Sequence, residues 1–467
     1  MRRFSILGGL LFAVILAVQW FSIPASLGQF VTNTPLPVGP QTTSESVGGF
    51  SAPTETTSPA HSGSFGFATN TPSGPTSTPT TTPSPTSTPT ATFTPTNTPT
   101  ATFTSTHTPT PTATPIGPFS YPEGINPLTG QLYPNEDARN RRNLIVKISN
   151  YPPLVRPQTG LNMADVVFEV EAEGGVTRFA AIFRSQMPPL VGSIRSARLV
   201  DIELTTMYAA LLAYSGTSEP IQRLLFSQPW AYRLISPSIG NNCEDAGFCR
   251  YPEEGKAFEH TLFGEPAKIW AEASRRGGDT NRGYRARGFA FSTIPNEGGL
   301  PANDVYIDWW GKANARWQYD EFSGRYLRFT DNVPHFDKGD GQQIWADNLI
   351  ILEVTHARRP DLFPEGATYE SLEIQLWDQG RAYVMREGKY HAGFWRRANT
   401  DEGTALQLFY GNNVPIMLKP GRSWVSIVRG LGSVVVSEQR ADMVATATAI
   451  AGTPSPTPLS LPVDDGG

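Results

Sequence analysis

The sequence has few cysteines and histidines, which limits the metal sites it can build. Only Cys243 and Cys249 occur among 467 residues, and six histidines are scattered along the chain. A structural zinc site takes four cysteine or histidine ligands at short spacings, and no such set is present. In an exported chain, two cysteines six residues apart favour a loop-closing disulfide over a metal site. We therefore predict a Cys243–Cys249 disulfide, no metal and no cofactor.

Clusters of basic residues are also absent, and long apolar runs are confined to the N-terminus. Lysine and arginine number 37 against 42 acidic residues, a net charge of −5. This balance gives no electrostatic support for a nucleic-acid surface. Residues 1–28 carry Arg2 and Arg3 before an apolar run, which predicts a signal peptide or, if it is not cleaved, a membrane anchor. Both alternatives place the rest of the chain outside the cytoplasm, with membrane contact only through this segment.

Two segments have too little apolar content to form a core. Residues 29–117 consist mainly of Thr, Pro and Ser, with Glu45 and Glu55 as the only formal charges, and TPTATFTPTN is followed directly by TPTATFTSTH. Such a composition buries too little apolar surface to offset the entropy of ordering. We predict a disordered Thr/Pro-rich stalk here and a shorter disordered tail at 443–467.

The remaining residues predict an α+β protein with two successive domains. In residues 118–289, strand-like NLIVKISN (143–150) and a later hairpin alternate with helical patterns, which predicts an α/β domain. The helices are expected at 196–210, 220–228 and 265–278. Residues 302–432 carry alternating aromatic and β-branched segments such as RWQYDEFSGRYLRFT, which predict a β-rich antiparallel domain. The Gly/Pro-rich turn at 290–302 is the predicted boundary.

A candidate site lies in the hairpin EVEAEGGVTR, residues 169–178. A diglycine loop would pair Glu171 with Arg178, and side-chain alternation would then group several charges on one face. The residues expected on that face are Glu169, Glu171, Glu173, Arg178 and Arg184. Closely spaced carboxylates can serve as acid and base in sugar hydrolysis. The alternative is a solvent-exposed ladder of ion pairs on the surface of the strands.

A second candidate is the motif SIRSAR, in which Arg195 and Arg198 adjoin a helix predicted to be capped by Ser196. Helix N-termini and guanidinium groups favour anions, and Arg156 in the motif RPQTG could add a third cation for a carboxylate or phosphate. The alternative is that these arginines neutralise the hairpin glutamates and Asp165 in a structural network. His260 is either a general base or a packed structural residue.

Several motifs resemble those of the YerB-like bacterial exported proteins, a family classed as domains of unknown function with N-terminal and C-terminal parts. The matching segments are INPLTG, RPQTG, EVEAEGG, GSIRSAR, YSGTSE and FEHTLF in the first half, and YDEFSGRYLRF and GKYHAGFWRR in the second. The resemblance implies an exported cell-envelope protein and implies no known reaction. Family members carry a lipidated cysteine, whereas this sequence has the stalk.

These observations predict an exported protein that binds a cell-wall component or an envelope protein partner without catalysis. The alternative is a cell-wall hydrolase that uses the glutamate and arginine residues named above. A third possibility is an accessory subunit of a synthesis complex, which would place an apolar patch beside the charged face.

Overall fold

The computed structural model describes residues 114–278, 286–363 and 368–443. The predicted signal or anchor segment, nearly all of the stalk and nearly all of the tail lie outside these residues. The described residues form five α-helices: α1 (Glu136–Asn140), α2 (Val200–Met207), α3 (Glu219–Phe226), α4 (Cys243–Ala246) and α5 (Pro266–Arg275).

Strands dominate the described part of the chain. Those of the first half are β1 (Leu144–Ser149), β2 (Val166–Ala172), β3 (Val176–Phe183), β4 (Val191–Gly192), β5 (Leu211–Ala213), β6 (Leu234–Ile235), β7 (Phe248–Arg250), β8 (Leu262–Gly264) and β9 (Ala290–Phe291). Those of the second half are β10 (Leu300–Pro301), β11 (Asp304–Ile307), β12 (Ala315–Asp320), β13 (Arg325–Thr330), β14 (Val333–Pro334), β15 (Trp345–Ala346), β16 (Asn348–Glu353), β17 (His356–Arg359), β18 (Ser371–Ile374), β19 (Asp378–Arg386), β20 (Lys389–Arg397), β21 (Gln407–Phe409), β22 (Met417–Leu418), β23 (Ser423–Val428) and β24 (Val434–Ser437).

One mixed sheet of 11 strands joins the two halves of the chain. Its order is β10-β20-β19-β16-β23-β2-β3-β1-β5-β6, with β21 beside β20. The mixed class with many strands and few helices is confirmed. The layout differs from the predicted succession of an α/β and an antiparallel domain, because β2 pairs in parallel with β23 and places both halves in one sheet. β2 is buried along its whole length, as expected for a strand covered on both faces.

Each face of this central sheet carries its own apolar core. Phe168, Val170 and Ile182 belong to the core that α2 covers through Leu204 and Met207. The opposite core contains residues of β2, β3 and β23 together with tryptophans of the smaller sheet formed by β14-β13-β12-β11-β24 and β15. This second core includes Val167, Phe179, Trp317 and Trp424. A side chain on β2 or β3 therefore lies in one core or the other according to its parity.

The β2–β3 hairpin has a three-residue loop instead of the predicted diglycine loop. Ala172 pairs with Val176 and Val170 pairs with Arg178, so residues 173–175 form the loop. A shift of one residue reverses the face of every side chain on one strand. Arg178 therefore lies on the opposite face from Glu169 and Glu171, and the predicted Glu171–Arg178 pair is wrong.

Arg184 also lies outside the predicted charged face. Its Nη2 donates to Arg139 O at 2.6 Å and its Nε donates to Ala138 O at 3.1 Å, both carbonyls of α1. The arginine therefore satisfies the C-terminal end of a short helix, where cations are favoured.

The helix predicted at 196–210 begins four residues later, at Val200. Residues before it run extended, because Ala197 N donates to Gly216 O at 3.0 Å and Ser215 N donates to Arg195 O at 3.0 Å. Ser196 therefore cannot cap the helix. The other two expected helices correspond to α3 and α5.

Candidate anion-binding site

The SIRSAR segment lies beside two parallel strands of the central sheet. Arg195 N donates to Lys147 O of β1 at 2.9 Å, and the bonds to residues 215 and 216 tie the segment to the end of β5. β1 and β5 are parallel. Ligands of open α/β sheets bind outside the carboxyl ends of parallel strands, where loops converge. The segment occupies this position.

Arg178 reaches the same place from β3 because of the corrected register. Its Nη1 donates to Ser196 O at 2.8 Å. Only 9% of the residue is exposed, and burial together with the repulsion of Arg198 and Arg195 holds the pKa of Arg178 well below its usual value. Among the described residues, no ion pair includes Arg178. We call Arg178, Arg195 and Arg198 the arginine cluster.

Nearby carboxylates neutralise only part of the positive charge. The buried Lys147 Nζ lies 2.9 Å from Asp201 Oδ1, and Arg198 Nε lies 2.5 Å from Glu173 Oε2. Arg178 and Arg195 make no ion pair in the described part of the chain, and only longer-range carboxylates act on them, Glu173 and Asp201 on Arg178 and Glu259 on Arg195. Desolvated charges without a counter-charge are costly. The cluster is therefore suited to an anionic group.

Arg195 lies on the side of the cluster nearest His260. Its Nη1 donates to Glu259 O at 3.3 Å, and burial lowers the pKa of Arg195 while the Glu259 carboxylate opposes the shift. His260 Nε2 is 4.0 Å from Glu259 Oε1, and burial and Arg195 lower the pKa of His260. His260 Nδ1 is buried with no hydrogen-bond partner among the described residues. The structure thus places His260 next to the cluster.

A cavity of about 310 Å³ opens on the other side of the cluster. Arg198 and Glu173 form one wall, and Ser218 and Tyr369 lie on others. A second cavity of about 410 Å³ shares Glu173 and Tyr369 with the first and also contacts Arg429. The cluster therefore borders a concave surface large enough for a small ligand.

The three hairpin glutamates each pair with a different arginine. Glu171 accepts from Arg429 Nε at 2.7 Å and from Arg429 Nη2 at 2.9 Å, and Glu173 pairs with Arg198 as described above. Glu169 is fully buried and its carboxylate lies 3.0 Å from Arg328. These carboxylates are held by cations from distant segments, and Glu169 has no access to a ligand.

Glu169 belongs to a buried polar network in the second core. Trp424 Nε1 and Thr177 Oγ1 donate to its carboxylate at 3.2 and 3.0 Å. Arg328 Nε donates to His335 Nδ1 at 3.2 Å, so the imidazole proton lies on Nε2, which bonds to Gln158 Oε1 at 2.6 Å. Burial and Arg328 hold the pKa of His335 well below its usual value. This network fixes β2, β13 and the RPQTG turn together.

Arg156, the remaining predicted site residue, does not join the arginine cluster. Its Nη1 donates to Asp331 Oδ2 at 2.9 Å, and it lines a separate apolar cavity with Pro153, Val333 and Phe336. The structure therefore brings together Glu173, Arg178, Arg195, Arg198 and His260. Arg156 and Glu169 lie elsewhere, and Glu171 lines the second cavity with Glu173.

Lys147 and Asp201 were not identified from the sequence. Lys147 is the only charged residue in the strand LIVKIS, and such a lysine between apolar residues is a usable signal for a buried ion pair. Arg328 and Arg429 carry no such signal, because only tertiary pairing brings them to the hairpin.

The described residues show the expected disulfide and no clustered metal ligands. Cys243 and Cys249 are bonded and close the loop around α4. Within the described ranges, histidine, cysteine and acidic side chains do not group as a metal site requires. None of the helices in these ranges is long and apolar enough to cross a membrane.

The fold and the site define a mixed-sheet protein with a basic, concave polar site. The family model described as "Protein of unknown function (DUF3048) N-terminal domain" matches residues 128–279, and the corresponding C-terminal domain matches residues 305–425. The chain belongs to this family, which confirms the resemblance seen in the motifs.

Relatives of the chain come from Bacillus subtilis. The protein named "Putative lipoprotein YerB" (strain 168) is 28% identical over 319 residues, which are 67% of this chain and 88% of that protein. The crystal structure of YerB protein from Bacillus subtilis has a TM-score of 0.56 at 24% identity and covers 67% of this chain and 99% of that chain. At this identity the structural likeness shows a shared fold.

Proposed function

We propose that the protein acts outside the cytoplasm as a non-catalytic binding protein that recognises a carboxylate or phosphate of a cell-wall component through the arginine cluster. The observation that carries this proposal is Arg178, a buried guanidinium without a carboxylate partner among the described residues, beside Arg195 and Arg198. A bound anion would supply the missing counter-charge through charge-assisted hydrogen bonds.

Three observations support the extracytoplasmic location. A relative is named as a lipoprotein. The N-terminal 28 residues have the composition of an export signal or anchor. The Cys243–Cys249 disulfide suits an oxidising compartment.

The glutamates give less support to a hydrolase. Both oxygens of Glu171 accept from Arg429, and Glu169 is buried beneath Trp424. A glycosidase needs two accessible carboxyl groups on either side of the scissile bond. Glu171 and Glu173 both line the second cavity, but each is paired with an arginine, Arg429 and Arg198.

Sedimentation of the purified protein with purified cell walls tests the proposal. Arg195→Gln removes the more accessible unpaired cation, and we expect it to weaken binding about tenfold to a hundredfold, because a hydrogen bond to a charged group contributes about 1.5–3 kcal/mol. Added salt should weaken wild-type binding as well. The matched control is Arg275→Gln, an exposed arginine of α5 whose change should leave binding unaffected.

Two results would contradict the proposal. Equal sedimentation of wild type and Arg195→Gln would exclude the arginine cluster and leave a protein partner as the alternative. Soluble sugars or peptides released by wild type, and lost in Glu173→Gln, would support the hydrolase instead.

A further inference from the structure

The cavity beside the arginine cluster has the features of a sugar subsite. It lies between the start of α3 and residues 368–371, and the paired Arg198 and Glu173 form the wall that it shares with the cluster. Arg198 is the cluster member that lines this cavity, so a ligand bound in the cavity would reach the arginine cluster through Arg198. Its volume of about 310 Å³ is at the small end of ligand pockets.

Ser218 supplies an unused hydroxyl in this cavity. It is the N-cap residue of α3, but its side chain does not cap the helix. Its Oγ is buried and has no hydrogen-bond partner in the described part of the chain. A hydroxyl both donates and accepts, and buried polar atoms without partners are rare. A rotation of the Ser218 side chain would bring this hydroxyl into the cavity, where a sugar hydroxyl could pair with it.

Tyr369 supplies an aromatic surface at the mouth of the same cavity. The side chain is 56% exposed, and its ring lies over Gly174 of the hairpin loop, where an added Cβ would come within 3.1 Å of the ring. The ring face carries partial negative charge, so it attracts the C–H groups on the face of a sugar ring. The hairpin glycine thus lets the ring pack against the loop while it stays exposed.

The two cavities on either side of Tyr369 suit a ligand longer than one ring. Both contact Tyr369, Thr368 and Glu173, and the second continues to Arg429 and Arg358. We infer that the protein binds an anionic glycan, with a sugar ring against Tyr369 and its carboxylate or phosphate on the arginine cluster. This inference rests on the function proposed above and specifies its ligand class.

Calorimetric titration of the full chain with four probes tests the inference. The probes are a disaccharide containing N-acetylmuramic acid, N-acetylglucosamine 1-phosphate, inorganic phosphate and the neutral tetrasaccharide of N-acetylglucosamine. We expect the anionic sugars to bind at least about tenfold more tightly than phosphate or the neutral tetrasaccharide, since only they contact both parts of the site. Whichever of the two anionic sugars binds more tightly shows whether the site prefers a carboxylate or a phosphate.

Two substitutions of Tyr369 separate the contribution of its ring to binding from that of its hydroxyl group. Tyr369→Ala should weaken binding of the anionic sugar about tenfold, and Tyr369→Phe should stay within about threefold of wild type, because stacking needs the ring alone. Phosphate binding should be the same in both variants. The side chain is largely exposed, so we expect both variants to fold.

The outcomes distinguish this inference from the proposed function. If Arg195→Gln abolishes phosphate binding but Tyr369→Ala binds the anionic sugars as wild type does, the anion site stands and the sugar subsite is wrong. If Arg195→Gln changes nothing, the proposed function fails. Absence of binding by all four probes would overturn both.

Discussion

At the residue scale, Arg178 and Arg328 are both buried guanidinium groups, but they have different surroundings. Arg328 pairs with Glu169 and lies 4.7 Å from the ring centre of Trp424, so its charge is compensated within the protein. Within the described ranges Arg178 hydrogen-bonds to one carbonyl, and the charged groups that act on it are Arg195 and Arg198 as well as Glu173 and Asp201. The charge of Arg328 is therefore balanced by an ion pair, whereas Arg178 has no ion-pair partner among the described residues.

This difference predicts opposite effects on folding. Arg328→Met should lower the free energy of unfolding by about 3–5 kcal/mol, because it leaves the Glu169 carboxylate buried without a cation. Arg178→Met should cost no more than about 1 kcal/mol, because it removes a desolvated charge and one hydrogen bond. Urea denaturation of both variants measures these changes. An equally large loss in Arg178→Met would show that Arg178 is structural.

At the scale of single elements, the hairpin loop depends on two glycines with left-handed backbone. Gly174 and Gly175 have φ of 89° and 68°. A Cβ on Gly175 would meet no atom within 4 Å. Any loss of stability in Gly175→Ala would therefore come from backbone strain and not from a steric clash. We expect it to lower the free energy of unfolding by about 1 kcal/mol, because alanine is disfavoured in this region. Gly175→Asn should cost less, since asparagine tolerates this conformation better.

Gly432→Ala is the matched control in urea denaturation. Gly432 also has open space around its Cβ position, and its φ is not in the left-handed region. This variant should be neutral or slightly stabilising, because alanine restricts the unfolded chain. Equal midpoints for Gly175→Ala and Gly432→Ala would contradict the strain at the hairpin loop.

The same hairpin shows what the sequence can predict. Alternation correctly predicted strands β2 and β3, and the diglycine correctly predicted a turn between them. The pattern did not determine whether the loop has two or three residues, and that single residue decides the face of Arg178. The arginines of SIRSAR were found together because they are close in sequence. Arg178 was also a candidate, but on the glutamate face, and only the observed register places it beside SIRSAR.

At the scale of the whole molecule, long-range pairing decided what local patterns could not. β2 and β23 are adjacent strands in one sheet although most of the chain separates them. Periodic patterns revealed the strand segments of both halves. Neither pattern, however, indicates which strand a given segment will pair with. The Glu171–Arg429 and Glu169–Arg328 pairs depend on this pairing for the same reason.

Buried histidines make the stability of the whole molecule depend on pH. Burial lowers the pKa of His260, His335, His356 and His391, most strongly at His335. In the unfolded chain, histidine has a pKa of about 6.5. Below that pH the unfolded state binds more protons than the native state, so the free energy of unfolding falls as the pH falls. Burial raises the pKa of Asp165 and opposes this trend at lower pH.

His335→Gln removes the histidine whose pKa is lowered most by folding, and so tests its contribution to the pH dependence of stability. The variant should be less stable than wild type near neutral pH, because it disturbs the bonds to Arg328 and Gln158. The difference in free energy of unfolding between the two proteins should shrink by about 1 kcal/mol between about pH 7 and about pH 5.5, since glutamine takes up no proton in either state. Asp165 and the other histidines are common to both proteins and cancel in this difference. Denaturation at both pH values measures it, and a difference that does not change with pH would show that folding does not exclude the proton from His335.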